Sequence, residues 1–385
     1  MLRQRGRVGL MAAALVGMAV GSVNAQVTTE KSASILVFPK VIADGTRDTV
    51  IQITNTSNSL VNAHCFYVDG ARDPQTQTIR WQELDFDITL TKQQPTHWVV
   101  SEGRLVDPTD SNCSSSNFSC NEAGLDPGRV PPVVDTFTGE LKCIEVDDSG
   151  APLSGNHLKG EATTIIADHC IEDTCSVGQN SCATDADCDD ELYDVAKYNA
   201  IGVLGNENNN GDNVLCLGGE PTDECPFGAE YDACPSVWIA NHLSEGAPDP
   251  FFDGNPDSAV DTTWTVVPCT QNFETQAPST VGINILAYNE FEQVLSAGTS
   301  VTCWDELHLD DTQRFGTVFL YGVRGSTFMQ SRLTPTTAST ASFMMVGTET
   351  HFAPSGNLST ADVNYHIEGA RQTADIITIP PEQVQ

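Results

Sequence analysis

The sequence predicts an all-β protein: two antiparallel β-sandwiches with a disulfide-rich acidic insertion between them. Three observations lead there. Apolar and polar residues alternate along short runs, the period of a half-buried strand. Those runs crowd both ends of the 385-residue chain. Between them lies a stretch rich in Asp, Asn, Gly and Cys with few apolar runs, which cannot build a core of its own. The expected units are a signal peptide at 1–25, a sandwich at 26–169, the insertion at 170–235 and a second sandwich at 236–385.

The elements follow in chain order. Arg3, Arg5 and Arg7 precede an apolar run over 9–23, and Val23-Asn24-Ala25 offers the small residues a signal peptidase reads. Cleavage is expected after Ala25, with delivery to an extracellular or periplasmic space. The run is shorter than the roughly 20 residues a spanning helix needs, so no membrane insertion is expected. In "SILVFPKVIA", Pro39 marks an edge strand or a bulge. "DTVIQITN" sets Ile51 and Ile53 against Gln52 and Thr54. "NAHCFYVD" follows, and "LDFDITLT" alternates Leu84, Phe86, Ile88 and Leu90 with Asp85, Asp87, Thr89 and Thr91. "ELKCIEV" and "EATTIIA" add two more strands. In the insertion, "DDELYDVAKYN" reads as a short helix, with Asp189 or Asp190 as cap and Leu192, Val195 and Ala196 on one face. Beyond it, "TTWTVVPC", "TVGINILAY", "SVTCWDELHL", "GTVFLYGV", "ASFMMVG", "ADVNYHIEG" and "ADIITIP" are strand candidates. This spacing of short strands resembles the pattern of immunoglobulin-like sandwiches.

The 13 cysteines all follow the signal segment, so an exported chain would hold them as disulfides. An odd count leaves at least one thiol free or bonded to a partner. Zinc binding would call for C-x2-C pairs, and the run Cys170, Cys175, Cys182, Cys188 has none. Cys113 and Cys120 should close a small loop, and Cys175, Cys182 and Cys188 should staple the acidic segment. Cys269 and Cys303 should bridge across the second sandwich. Cys216, Cys225 and Cys234 are further disulfide candidates, with connectivity open.

The formal net charge of −34 repels phosphate backbones and excludes nucleic acid as a partner. It suits cations. Asp185, Asp187 and Asp189 occupy positions 1, 3 and 5 of an EF-hand-like loop, with Asp190 and Glu191 as further oxygen donors to calcium. Asp190 stands where the loop wants Gly, and Ala196 where it wants a bidentate Glu. "NENNNGDN" and "DGNPD" read as turns. No G-x-S-x-G, H-E-x-x-H, Walker or G-x-G-x-x-G pattern occurs, and the histidines are scattered singly. His64, His308 and His366 fall on strand faces, and the tryptophans read as core anchors. The expected function is therefore that of a secreted, non-catalytic protein for binding, adhesion or surface structure, its partner an extracellular protein or glycan. The alternative is an extracellular carbohydrate-acting hydrolase using a carboxylate pair the sequence does not locate. Two acids and an aromatic converging in a deep cleft would favour that alternative.

A ligand set this incomplete implies an affinity of roughly 10⁻⁴ to 10⁻³ M. Millimolar calcium should raise the melting temperature more than magnesium at equal ionic strength, and Asp187→Asn should abolish the difference. Equal effects of the two ions would leave an acidic loop with no site.

Overall fold

The computed structural model describes residues 27–73, 75–76, 78–104, 128–134, 136–167, 170–171, 174–175, 183–184, 188, 193–252, 255–354 and 358–381. Among these the chain is almost entirely β, with disulfides. Sheet A orders the strands Ile201–Val203, Ile35–Ala43, Phe137–Val146, Val61–Asp69 and Gln82–Leu90. Sheet B orders Tyr193–Asn199, Leu158–Ala167, Arg47–Asn55 and Pro95–Val99. Sheet C is small: Val214–Leu217, Asp375–Thr378 and Gln271–Asn272, the last pair parallel. Sheet D orders Val294–Thr302, Thr280–Asn289, Phe328–Pro335, Pro235–Leu243 and His366–Ala370. Sheet E orders Asp305–His308, Ala259–Pro268, Phe343–Phe352 and Leu358–Val363. No helix among the described residues is long and apolar enough to cross a membrane.

The fold class is thus borne out as all-β and corrected in its arrangement. The sheets form a propeller-like ring rather than two separate immunoglobulin-like sandwiches. The physical reason lies in sheet A, which is apolar on both faces. Leu36, Phe38 and Tyr67 pack with Ile51, Ile53 and Trp98 of sheet B. Ile35, Val37, Phe66 and Ile144 face the other way, into a core with Leu215 and Ile377 of sheet C and with Trp238, Trp264 and Phe343 of sheets D and E. A sheet wet on one face could not join both halves in this way.

Local outcomes follow the same logic. Pro39 makes a bulge, with the register shifting between Phe38 and Val41, and the strand is interior, not an edge. Side chains satisfy the freed backbone groups. Trp304 Nε1 donates to Pro39 O at 2.8 Å, and Tyr198 Oη donates to Lys40 O at 2.6 Å. Trp304 also packs on Gly70, where an added Cβ would lie 2.3 Å from the Trp304 Cβ. Phe86, Ile88 and Leu90 point inward as the alternation predicts, while Leu84 stays at the surface.

Three expectations are overturned. The helix expected at "DDELYDVAKYN" is a strand, Tyr193–Asn199, paired antiparallel with Leu158–Ala167. Ala196 and Tyr198 turn inward with period two, because the open edge of Leu158–Ala167 offers ladder partners that local spacing cannot reveal. "GTVFLYGV" is not a strand. Gly316 takes φ 61° after the short helix Thr312–Phe315, Tyr321–Arg324 is helical, and Phe319 between them is buried against Trp264. The bridge expected between Cys269 and Cys303 is not formed. Cys269 pairs with Cys234, and Cys303 is a buried free thiol.

The other described disulfides are Cys65–Cys143, Cys175–Cys188 and Cys216–Cys225. The first joins directly opposed residues of neighbouring strands in sheet A, a pairing that sequence spacing does not suggest. Cys113, Cys120 and Cys182 lie outside the described residues, as do the signal segment 1–25 and Asp185, Asp187, Asp189, Asp190 and Glu191. Burial pushes the Cys303 thiol well above its usual range, with Glu140 adding to the shift. Iodoacetamide should therefore spare Cys303 in the folded protein and label it on unfolding without reductant, while Cys269 is labelled only after reduction. Peptide mapping that finds Cys303 labelled in the native protein would contradict this burial.

Candidate functional site

Register builds one wall of a broad cleft. Val294 faces Tyr288, Tyr288 faces Gln330, and Gln330 faces Asn241, a row across four strands of sheet D. Gln330 Nε2 donates to Asn241 Oδ1 at 3.1 Å. Side chains one row on, His242 and Met329, turn to the other face of the sheet and are buried in the core behind this wall. The cleft holds about 1050 Å³, and its lining includes Phe251, Phe328, Glu290, Glu292, Glu349 and His351 but no lysine or arginine.

The opposite wall is a built arrangement. Asp249 is fully buried, and its Oδ1 accepts from Phe251 N at 2.8 Å, fixing the turn Pro250–Phe252. Its Oδ2 lies 2.6 Å from His351 Nδ1. Glu349, two residues back on the same strand, shares a face with His351 and reaches within 3.8 Å of Nε2. The Glu349 and Asp249 carboxylates hold the His351 imidazolium above the usual histidine range against the opposing effect of burial. The Phe251 ring stands edge-on to His351, centroids 5.7 Å apart, yet Phe251 is 83% exposed. Phe328 across the cleft is 53% exposed.

His242 beneath them is a core residue. Its Nδ1 lies 2.9 Å from Leu243 O, so that nitrogen carries the proton, and Nε2 accepts from Ser331 Oγ. Burial pulls its pKa down to about 4, which keeps it neutral.

Two other clusters lie away from this cleft. Against the desolvation of a half-buried site, His64 is driven up to about 9 by Asp85 and Asp87, whose oxygens lie 3.6 and 2.9 Å from its ring nitrogens. Cys234, Cys269 and Asp375 converge within metal-ligand distance, but the two sulfurs share a disulfide and Asp375 pairs with Arg371 at 2.7 Å. No thiolate is left to hold a metal.

"NENNNGDN" is a turn, with Asn209 Oδ1 accepting from Gly211 N at 2.8 Å and Asn210 Oδ1 from Asp212 N at 2.7 Å. All five tryptophans are buried, so none offers a sugar-stacking face. The cleft itself was invisible to sequence reasoning: Asp249 and His351 stand 102 residues apart. The local signals were slight, an Asp-Pro-Phe-Phe run at 249–252 and Glu349 two residues before His351.

No protein-family model matches the chain, and no curated protein matches it. Among solved structures, a candidate secreted protein from Parabacteroides distasonis is 10% identical over 84% of this chain and 76% of its own, with a TM-score of 0.13. A Broad Bean Stain Virus chain is 10% identical over 94% of this chain and 100% of its own, with a TM-score of 0.12. Likenesses this weak carry no argument about fold or function.

His351 gives the cleft a pH signature. Its folded pKa is raised above the unfolded value of about 6.5. The stability it contributes is therefore full below about pH 6.5 and is lost as pH rises through the raised value. Thermal melts from about pH 6 to 9 should fall more steeply for the wild type than for His351→Gln, and parallel curves would show that the pair is uncoupled from folding.

Proposed function

We propose that this chain is an exported, non-catalytic binding protein whose cleft takes an apolar ligand between Phe251 and Phe328. One observation carries the reading: a phenylalanine 83% exposed in the lining of the cleft, with the half-exposed Phe328 across from it, on a turn held by a buried carboxylate. Exposed aromatic surface set on a rigid support is costly in water and is regained when a ligand covers it. Four disulfides among the described residues support an extracellular or periplasmic setting. Adhesion to an extracellular protein or glycan would use the same surface. Calcium at Asp185, Asp187 and Asp189 would add stability to the fold.

A second reading, a carbohydrate-acting hydrolase, has one observation in its favour: Asp249, Glu349 and His351 converge in the cleft. Two features speak against it. Both Asp249 oxygens are already engaged and sealed from solvent. Among the described residues no serine, threonine or cysteine shares a hydrogen bond with His351. Of that converging group only Glu349 could reach a substrate, the other lining carboxylates, Glu290 and Glu292, stand on a separate turn at the rim, and glycoside hydrolysis needs two such groups flanking one bond.

The neutral apolar dye N-phenyl-1-naphthylamine should bind the protein saturably with one-to-one stoichiometry. Covering a phenylalanine is worth about 1.5–3 kcal/mol, so Phe251→Ala should weaken binding roughly tenfold to hundredfold. The same protein should leave chromogenic glycosides intact. Dye binding that ignores Phe251→Ala would overturn the binding reading, and glycoside turnover lost in Glu349→Gln would favour the hydrolase.

A further inference from the structure

We infer that the ligand of this cleft is an organic ammonium ion: an apolar body bearing a fixed positive charge. This rests on the binding reading above and adds the charge. Glu290 and Glu292 stand exposed at the rim, Glu349 stands inside, and among the described residues no lysine or arginine lines the cleft. His351 is already paired with Asp249 and Glu349.

The turn that carries the rim acids is fixed, and Glu290 is held on it. Asn289 Oδ1 accepts from Phe291 N at 3.0 Å and Gln293 N at 2.9 Å, which fixes the turn that carries Glu290 and Glu292. Glu290 Oε1 accepts from Thr327 N at 3.2 Å, tying that turn to the neighbouring loop. Preorganised charge binds a counter-ion without first losing side-chain freedom. Phe251, Phe328 and Tyr288 supply ring faces, which attract a cation through their quadrupoles. An anion here would meet the rim carboxylates Glu290 and Glu292 with no lysine or arginine among the described lining residues to offset them, His351 being already taken by Asp249 and Glu349, and a neutral ligand would leave those two uncompensated. The chain's net charge of −34 draws cations generally, but salt screens that field beyond about 10 Å at 0.1 M, so only contact selectivity survives high salt.

The test uses three probes with one tail: hexyltrimethylammonium, hexan-1-ol and hexanoate. Each is titrated against bound N-phenyl-1-naphthylamine at about 0.15 M and about 0.5 M salt. The ammonium should displace the dye at a concentration at least roughly tenfold below hexanol, with hexanoate weakest, at both salts. Glu290→Gln with Glu292→Gln should shrink the ammonium–hexanol gap to less than about threefold while hexanol and dye affinities hold, since Gln keeps the oxygen that accepts from Thr327. Asp223→Asn with Glu224→Gln, on the Cys216–Cys225 loop outside the cleft, should leave the gap intact. The inference is overturned if the wild type shows no gap, if the rim variant keeps it, or if the distal variant loses it equally. In those cases dye binding still upholds the apolar cleft. Should the dye itself fail to bind, calorimetry with hexyltrimethylammonium decides: a Glu290/Glu292-dependent signal sustains the ammonium inference, and silence overturns both readings.

Discussion

The strand Ile35–Ala43 presents buried side chains to both of its faces and carries Lys40 in its middle. A strand of this kind must be covered on both sides, and its ammonium must meet an anion once it is dry. Asp362 provides one at 2.7 Å, and Thr348 Oγ1 accepts from the same nitrogen at 2.7 Å. Both belong to sheet E, more than 300 residues away in the chain. Removing one member of such a pair leaves the other charged and dry, at a cost of about 3–5 kcal/mol. The pair's main effect is to dictate which surfaces meet.

Further polar contacts repeat this along the seam between the two halves. Arg47 Nη1 of sheet B lies 3.0 Å from Glu306 of sheet E. Asn199 and Asn364 exchange two hydrogen bonds, of 2.8 and 2.9 Å. Within sheet A, Lys142 pairs with Glu140 at 2.5 Å, and both bond Gln271 of sheet C. Burial pushes the Glu140 carboxyl up and pulls the Lys142 ammonium down, while their pairing opposes both shifts. Apolar packing would tolerate a slip of one residue, whereas these partners would be stranded by it.

The cleft begins where the core of sheets D and E stops. Trp264, Phe319 and His242 pack edge to face, with centroids between 5.4 and 5.7 Å. Met329 turns into that core, and Phe328, its neighbour on the strand, turns to the other face and is exposed. The aromatic side chains of the cleft stand beside this rigid packing, with Asp249 and Asn289 fixing the turns on either side. A site on turns held in this way can be preformed without being part of the core.

The sequence by itself determined the class of structure and most of its strands. Period-two alternation is a local property, so "DTVIQITN" and "TVGINILAY" could be read directly, as could the burial of the tryptophans, whereas Pro39 signalled an edge or a bulge and only the ladder chose the bulge. It also carried the acidic balance that bears on the ligand. Only the tertiary structure decided which cysteines pair, because opposed positions such as Cys65 and Cys143 are set by strand register. It decided that Tyr193–Asn199 is a strand, because the partner edge outweighs helical spacing. It also decided the cleft, since Asp249, Tyr288, Phe328 and His351 come from separate strands and turns. Alternation says which residues turn inward, but not which inward faces meet or where their packing ends in an opening.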